Sequence, residues 1–523
     1  MLLAEIVDTS TAVAATRSRK AKVAALAETL ARAEPHEVVT VAAYLAGSLR
    51  QRRTGLGWRG LQQLPQPADA PSLTAVEVDA AFAELAGVSG AGSKAARERL
   101  VTDLFGRATP DEQAYLRGLV TGELRQGALD ALVLDAVAAA AEVPADAVRR
   151  AAMFAGSTLP VAVAALTEGT DALDRFGLQP GRPVRPMLAS SANDVDEAMA
   201  KAGAGEAVAV DSKLDGIRIQ VHKYDGRVRV FTRSLEDITD RVPEVEEVVA
   251  GLPASTLVLD GEAIALGPDG RPRPFQETGA RTASHVDVAT LRAQVPLTSY
   301  FFDVLHIDGG DLVDRPARER FERLAALLPD PLVVPRTVTA DHDQAKKLLA
   351  RVVSSGHEGV VVKSLDAPYD AGRRGAAWVK VKPRHTLDLV VLAVEWGSGR
   401  RQGWLSNIHL GARDPDTGGF VMLGKTFKGM TDELLAWQTK RLQELEVSRD
   451  GHTVYVRPEL VVEVAFNDLQ ASPQYPGGLA LRFARVKGYR PDKRPADADT
   501  LSTLQQIWRR QTGLEPPATR PGI

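Results

Sequence analysis

Lys213, Asp215 and Arg218 stand together as Lys213-Leu214-Asp215-Gly216-Ile217-Arg218, between the apolar run Val208-Ala209-Val210 and an alternating stretch from Ile219 to His222. The pattern predicts a short buried strand, a turn at Asp215-Gly216 and a second strand, which pins Lys213 beside the turn. A lysine amine is a weak nucleophile near neutral pH unless burial or nearby cations lower its pKa. Attack on phosphorus also needs cations for the developing negative charge. Arg218 can supply one. Taken alone, these residues could also be an ordinary Asp-Gly hairpin with a surface lysine and arginine.

Five further groups raise the chemical content. In Leu257-Val258-Leu259-Asp260-Gly261-Glu262-Ala263-Ile264 a hydrophobic strand delivers a carboxylate, and packing gives no need for Glu262. Tyr300-Phe301-Phe302-Asp303-Val304-Leu305 offers an aromatic ring, Phe302, that can stack on a base or serve as core. Glu358-Gly359-Val360-Val361-Val362-Lys363 is an apolar strand with a charge at each end, where Glu358 could also form a structural ion pair. In Trp378-Val379-Lys380-Val381-Lys382-Pro383, alternation puts Lys380 and Lys382 on one strand face, an arrangement suited to phosphate. A last basic cluster, Arg482, Arg485, Arg490 and Lys493, runs through Arg482 to Lys493 and ends in Arg490-Pro491-Asp492-Lys493.

The elements that must position these residues change character along the chain. Residues 1–175 are rich in Ala, Leu and Val, with helical periodicity at Lys20 to Ala31, Glu37 to Leu49, Val76 to Leu85, Ala95 to Leu104, Asp111 to Val120 and Ala128 to Ala141. Thr109-Pro110-Asp111-Glu112 and Val143-Pro144-Ala145-Asp146 supply helix starts. Pro180, Pro183 and Pro186 predict an extended linker between this all-helical region and an α/β region at 176–383. That region pairs short strands with helices at Asp194 to Lys201, Val242 to Gly251, Arg315 to Leu328 and Asp343 to Ser354. Residues 384–510 carry short strands at Leu387 to Trp396, Ser406 to Arg413, Phe420 to Lys425, Val454 to Val456, Leu460 to Asn467 and Leu481 to Lys487. A helix at 429–447 crosses what reads as a small barrel. Residues 511–523 read as a flexible tail.

Composition sets the bounds. A length of 523 residues suits roughly three or four domains. With no cysteine, disulfides, thiol catalysis and cysteine-ligated zinc are excluded. No apolar stretch of membrane-spanning length or secretory leader is visible, so a soluble intracellular protein is expected. The formal net charge of −3 leaves a nucleic-acid partner open, because local basic patches decide such contacts.

The ordered set of motifs resembles the ATP-dependent DNA ligases, the bacterial, archaeal and eukaryotic polydeoxyribonucleotide synthases. The resemblance implies a multidomain protein: an all-helical N-terminal DNA-binding domain, a central α/β adenylyltransferase domain of ATP-grasp-like nucleotidyltransferase fold, and a C-terminal OB-fold β-barrel. It implies Lys213 as the nucleophile that takes AMP from ATP. Asp211, Arg218, Arg233, Glu262, Phe302, Lys380, Lys382 and Arg482 then bind the nucleotide, Glu358 and Glu262 hold Mg²⁺, and Arg485, Arg490 and Lys493 join Arg482 on the leaving pyrophosphate. Gly122-Glu123-Leu124-Arg125-Gln126-Gly127 is similar to a DNA-binding element of the family. The resemblance therefore implies duplex contacts at Gly122, Arg125, Gly127, Arg218 and Lys363. The implied partner is nicked double-stranded DNA, bound by a monomer in the cytoplasm or nucleoid, with a sliding clamp or repair proteins as further partners. NAD-dependent ligases usually carry a four-cysteine zinc site, which this chain cannot build. A nick-binding protein without catalysis and an RNA-joining or capping nucleotidyltransferase are the alternatives.

Overall fold

The computed structural model describes residues 1–51, 53–124, 126, 130–285, 287–371, 374–383 and 385–519. The helical region begins with helices at Leu3–Ala15, Arg19–Ala31, Val38–Leu45, Ala75–Gly87, Ser93–Gly106 and Pro110–Thr121. Further helices follow at Asp130–Ala140, Ala145–Ala155 and Leu159–Glu168. Their starts follow from local chemistry. Thr74 accepts from Glu77 N–H while Glu77 reaches back to Thr74, and Thr109 with Glu112 repeats the device ahead of Pro110. Leu3, Leu26, Tyr44, Phe82, Phe105, Leu116 and Val133 meet in the shared core. The helix predicted to reach Leu49 stops at Leu45, and Gly47, at φ +73°, turns the chain away. Among the described residues no helix is long and apolar enough to cross a membrane.

Two five-stranded sheets form the middle of the molecule. The first runs Leu188–Ser191, Arg374–Val381, Gly359–Ser364, Val208–Lys213, Arg336–Thr339. The second runs Arg227–Thr232, Ile217–Tyr224, Leu257–Ala265, Leu297–Ile307, Gly310–Asp311. The strands on either side of Asp215-Gly216 therefore do not pair as a hairpin. The chain leaves one sheet at Lys213 and enters the other at Ile217, so the motif bridges the seam between them.

The expected linker is extended but firmly tied. Val184 N–H donates to Gln220 Oε1 at 2.8 Å, Gln220 Nε2 returns a bond to Val184 O at 3.2 Å, and Gly181 N–H donates to His222 Nδ1 at 3.0 Å. The helical region is also joined to the sheets. Met153 and Phe154 share a buried cluster with Val184, Met187, Tyr369 and Trp378, and Arg150 grips Asp314 through two bonds of 2.7 Å.

In the last region the long strand His385–Trp396 pairs with Leu405–Arg413 on one edge and with Val461–Phe466 and then Thr453–Val456 on the other. Leu405–Arg413 pairs with Phe420–Thr426, and Val461–Phe466 with Arg485–Tyr489. The ring closes where Val486 N–H donates to Lys428 O at 2.9 Å and Thr426 Oγ1 to Ala484 O at 2.6 Å. The helix Asp432–Glu444 packs Leu435 and Leu442 into the barrel core. The single strand expected at Leu481 to Lys487 is two, Leu479–Arg482 and Arg485–Tyr489. Phe483, at φ +58°, breaks them apart. A helix at Leu501–Thr512 buries Leu504 and Trp508 against the barrel, and Trp508 Nε1 donates to Glu515 O at 3.2 Å.

Candidate active site

At the seam of the two sheets lies a cavity of ≈1130 Å³, lined by Lys213, Glu262, Phe302, Glu358, Trp378, Lys380, Lys382, Arg233 and Arg482 among others. Strand alternation explains the lining from the neighbouring strand. Val379 and Val381 join the core of the first sheet, which turns Trp378, Lys380 and Lys382 to the cavity. Gly359 makes a second contribution, since a Cβ there would lie 2.2 Å from Val381 O. Only glycine lets the Glu358 strand approach this closely. Glu358 N–H then donates to Lys213 O at 3.1 Å, setting the two side chains together.

Lys213 Nζ lies 2.5 Å from Glu358 Oε2, and Lys382 pairs with the other oxygen of Glu358. Burial pulls the Lys213 pKa down, but the carboxylates of Glu358 and Glu262 outweigh it and hold the ammonium above the ordinary lysine value. The lowered pKa that a nucleophilic lysine needs is therefore absent from this arrangement, because its close charges are carboxylates. Glu358 is held below the usual carboxylate range: burial opposes its charge, and Lys213 and Lys382 overcome that. Burial pushes Glu262 up to about 7 against the pull of Lys213 and Arg218. Gly216 N–H donates to Glu262 Oε1 at 3.2 Å.

The base-sized end of the cavity is aromatic. Phe302 and Trp378 meet edge to face with centroids 5.7 Å apart. Arg218 and Lys363 flank this pair. Arg218 Cζ lies 5.5 Å from the Phe302 centroid and 5.6 Å from that of Trp378, and Lys363 Nζ lies 4.5 and 4.2 Å from the same two rings. Each cation has a buried carboxylate. Arg218 forms bonds of 3.0 and 2.5 Å with Asp260 and donates to Met187 O, while Tyr369 Oη donates to Asp260 at 2.7 Å. Lys363 Nζ forms an ion pair with Asp211, 2.7 Å from its Oδ2. Burial lowers the Lys363 pKa.

Two residues expected at the duplex also stand here. Lys363 is 2% exposed in the cavity wall, and the guanidinium of Arg218, also in the wall, is engaged by Asp260 and Met187. The Asp211 carboxylate is likewise committed. Arg336 grips it at 2.6 and 2.8 Å, and with Lys363 it outweighs burial to keep the acid ionised.

The basic cluster near the end of the barrel divides. Arg482, delivered by the Leu479–Arg482 strand, donates to Asp215 at 2.9 Å and lies 5.0 Å over Phe275, so the barrel closes on the cavity. Burial raises Asp215 to about 6, Glu358 adding to the rise and Arg482 opposing it. Arg490 and Lys493 instead bind Asp388, which alternation turns away from the barrel core, and Arg485 is exposed on its strand. The barrel needs these cations for its own Asp388, which corrects the expectation that they meet the leaving group in this arrangement. Arg233 is exposed at the cavity rim. In the helical region Gly122 caps its helix at φ +67°, and Gln126 anchors the following loop by donating to Leu45 O at 2.5 Å. Arg125 and Gly127 lie outside the described residues. Sequence reasoning missed Arg336, Asp260 and Tyr369. Asp260 stood in a quoted motif, but its partners come from distant segments.

Comparison with known proteins agrees with this architecture. Residues 61–138 match the DNA ligase N terminus, 186–382 the ATP dependent DNA ligase domain and 401–493 the ATP dependent DNA ligase C terminal region. A "Probable DNA ligase" of Nocardioides sp. is 65% identical over 97% of this chain and 99% of its own length. One of Beutenbergia cavernae is 64% identical over 97% and 99%. The solved structure named "Pmar-Lig_Pre." shares the fold at a TM-score of 0.63 and 17% identity, covering 93% of this chain and 99% of its own. The chain is thus built of a ligase N-terminal domain, an adenylation domain and a ligase C-terminal domain. It belongs to the ATP-dependent DNA ligases.

Proposed function

We propose that the protein seals 5′-phosphate/3′-hydroxyl nicks in duplex DNA through lysyl-AMP and DNA-adenylate intermediates. The observation that carries this reading is Lys213 at the seam of the two sheets, inside a cavity with an aromatic end, a pair of lysines on one strand face and an arginine brought in by the barrel. Once its ammonium has given up a proton, Lys213 Nζ attacks the α-phosphorus of ATP, forming a P–N bond as pyrophosphate leaves. The 5′-phosphate oxygen of the nick then takes the AMP and frees the lysine. The 3′-hydroxyl attacks that 5′-phosphorus, the phosphodiester forms, and AMP departs.

Phe302 and Trp378 hold the base, and Glu262 meets the ribose. Lys380 and Lys382 hold the α-phosphate, and Arg233 at the rim and Arg482 meet the outgoing phosphates. Asp211 acts through its ion pairs behind the base. Among the described residues no group of three or more His, Cys, Asp or Glu side chains forms a ready metal cage. That donor set still fits Mg²⁺, which commonly takes one or two carboxylates and completes its shell with phosphate and water. Glu358, with Glu262 on the facing sheet, would hold it, and when bound it would offset phosphate charge. The C-terminal barrel reads as an OB-fold that closes for the first step and swings aside for DNA. The helical domain then grips phosphates through the Gly122 loop without reading sequence. We place the action on nicked duplex DNA in the cytoplasm or nucleoid, with the protein working as a monomer.

The test is incubation with α-labelled ATP and Mg²⁺ followed by nicked DNA. Label that survives denaturation of the protein and is lost as nicks close is expected. DNA binding without any labelled protein would leave a nick-binding protein in its place.

A further inference from the structure

Phe302 occupies an irregular place in its strand. Along the pairing of Leu257–Ala265 with Leu297–Ile307, Asp260 faces Asp303 and Gly261 faces Phe301, and the register shifts between them. Phe302 is the extra residue of that bulge. Bulges of this kind re-aim a side chain and leave a backbone group out of the ladder. Here the backbone group is Phe302 O, and it is not left bare: Arg336 Nη2 donates to it at 2.8 Å.

Arg336 reaches the bulge from the opposite sheet. It sits at the start of the edge strand Arg336–Thr339, directly across from Asp211 in the antiparallel register. Its Nε and Nη2 grip the two oxygens of Asp211 at 2.6 and 2.8 Å, and its guanidinium lies 3.4 Å from the Phe321 ring centroid. The Asp211 carboxylate is also the counter-charge of Lys363, whose ammonium rests against Phe302 and Trp378. One planar fork therefore joins the bulge, the carboxylate and, through it, the buried lysine. A lysine at this position would offer a single point of charge and could not span both acceptors.

We infer that Arg336 is a positioning residue for the nucleotide base, fixing the Phe302 ring and the Asp211–Lys363 pair that together form the base end of the cavity. The inference rests on the reading of this cavity as the ATP site. Arg336 acts through other residues, so its loss changes how well the base is held and chosen more than how fast the held nucleotide reacts.

The experiment measures enzyme-AMP formation by the full-length protein over a range of α-labelled ATP, and again with α-labelled GTP, for the parent, Arg336→Lys and Arg336→Ala. Arg336→Ala is expected to raise the KM for ATP about tenfold and to lower the preference for ATP over GTP. The rate at saturating ATP should stay within about threefold. Arg336→Lys should fall between the two. Should Arg336→Ala fold poorly because Asp211 is left uncompensated, Arg336→Lys, which keeps a charge opposite Asp211, carries the test, and a smaller KM shift in the same direction is expected. A purely structural ion pair would reduce the amount of active protein, scaling the rate with every nucleotide while leaving KM and preference as in the parent. That result overturns the inference. A parent protein that takes no label refutes the ATP-site reading itself, so the two failures are distinguishable.

Discussion

Lys213 is the residue on which the proposed chemistry turns, and its surroundings store it as an ammonium. Glu358 is shared between Lys213 and Lys382, and Glu262 stands across the seam, so the buried charges nearly balance before any nucleotide arrives. Such pairing is expected of buried ions, whose desolvation is costly unless compensated. Lys213→Ala should abolish labelled enzyme-AMP in a protein that still folds, because Lys382 continues to compensate Glu358. Lys213→Arg should fail as well, because a delocalised, persistently protonated guanidinium is a poor nucleophile. Normal labelling of a folded Lys213→Ala protein would refute the assignment. Phe302 gives a second test. Stacking a base on an aromatic ring contributes about 1–3 kcal/mol, so Phe302→Ala should raise the ATP requirement about tenfold or more. Titrating ATP against enzyme-AMP yield measures this, and equal requirements would make Phe302 simply part of the core.

At the scale of elements, the strap from Gly181 to Met187 shows how local chemistry fixes a segment that composition describes only as extended. His222 is fully buried. Gly181 N–H points at its Nδ1, and Nε2 lies 2.9 Å from Gln220 Oε1, so the neutral ring with its proton on Nε2 satisfies both contacts. Burial, with His306 nearby, lowers the His222 pKa to about 3. The unfolded chain takes up this proton below its ordinary value near 6.5, whereas the folded protein refuses it down to about 3. Stability from this group is therefore complete above about 6.5 and is lost as pH falls, at about 1.4 kcal/mol per unit. Urea midpoints between pH 7 and 4.5 should drop more steeply for the parent than for His222→Gln, and parallel curves would exclude His222 as a cause. Much of this level was legible. Alternation at Trp378, Lys380 and Lys382, and the carboxylates closing or opening apolar strands at Glu262 and Glu358, are signals carried by a few consecutive residues. Arg336 was not legible, because its partners Asp211 and Phe302 are set by strand register across the sheets and by a bulge. The split of Leu481 to Lys487 at Phe483 was equally hidden, since a bulky residue at positive φ runs against its own preference.

Across the whole molecule, the helical domain does more than sit beside the catalytic sheets. Composition places a boundary at residue 175, yet the helix Ala145–Ala155 sends Met153 and Phe154 into the cluster that contains Trp378 and Tyr369. Trp378 lines the nucleotide cavity, and Tyr369 bonds the Asp260 that holds Arg218. Arg185, from the strap, pairs with Asp130 and donates to Thr158 at 2.8 Å, adding polar ties to the same joint. A cut at 175 therefore exposes the back of the aromatic pair. Truncating a buried Phe or Met usually costs about 2–5 kcal/mol, a large share of the stability of one domain. Removal of residues 1–175 is thus expected to weaken labelling of Lys213 as well as nick binding, with a lower melting temperature in the remainder. Phe154→Ala in the full chain should reproduce part of the labelling loss while leaving the DNA-facing side of the helical domain intact. The check is to measure enzyme-AMP yield, ATP requirement and nick affinity separately for both proteins. Full labelling by the truncated chain at parental ATP requirement would mean that the cluster supports folding of the helical domain alone, with no bearing on the nucleotide site.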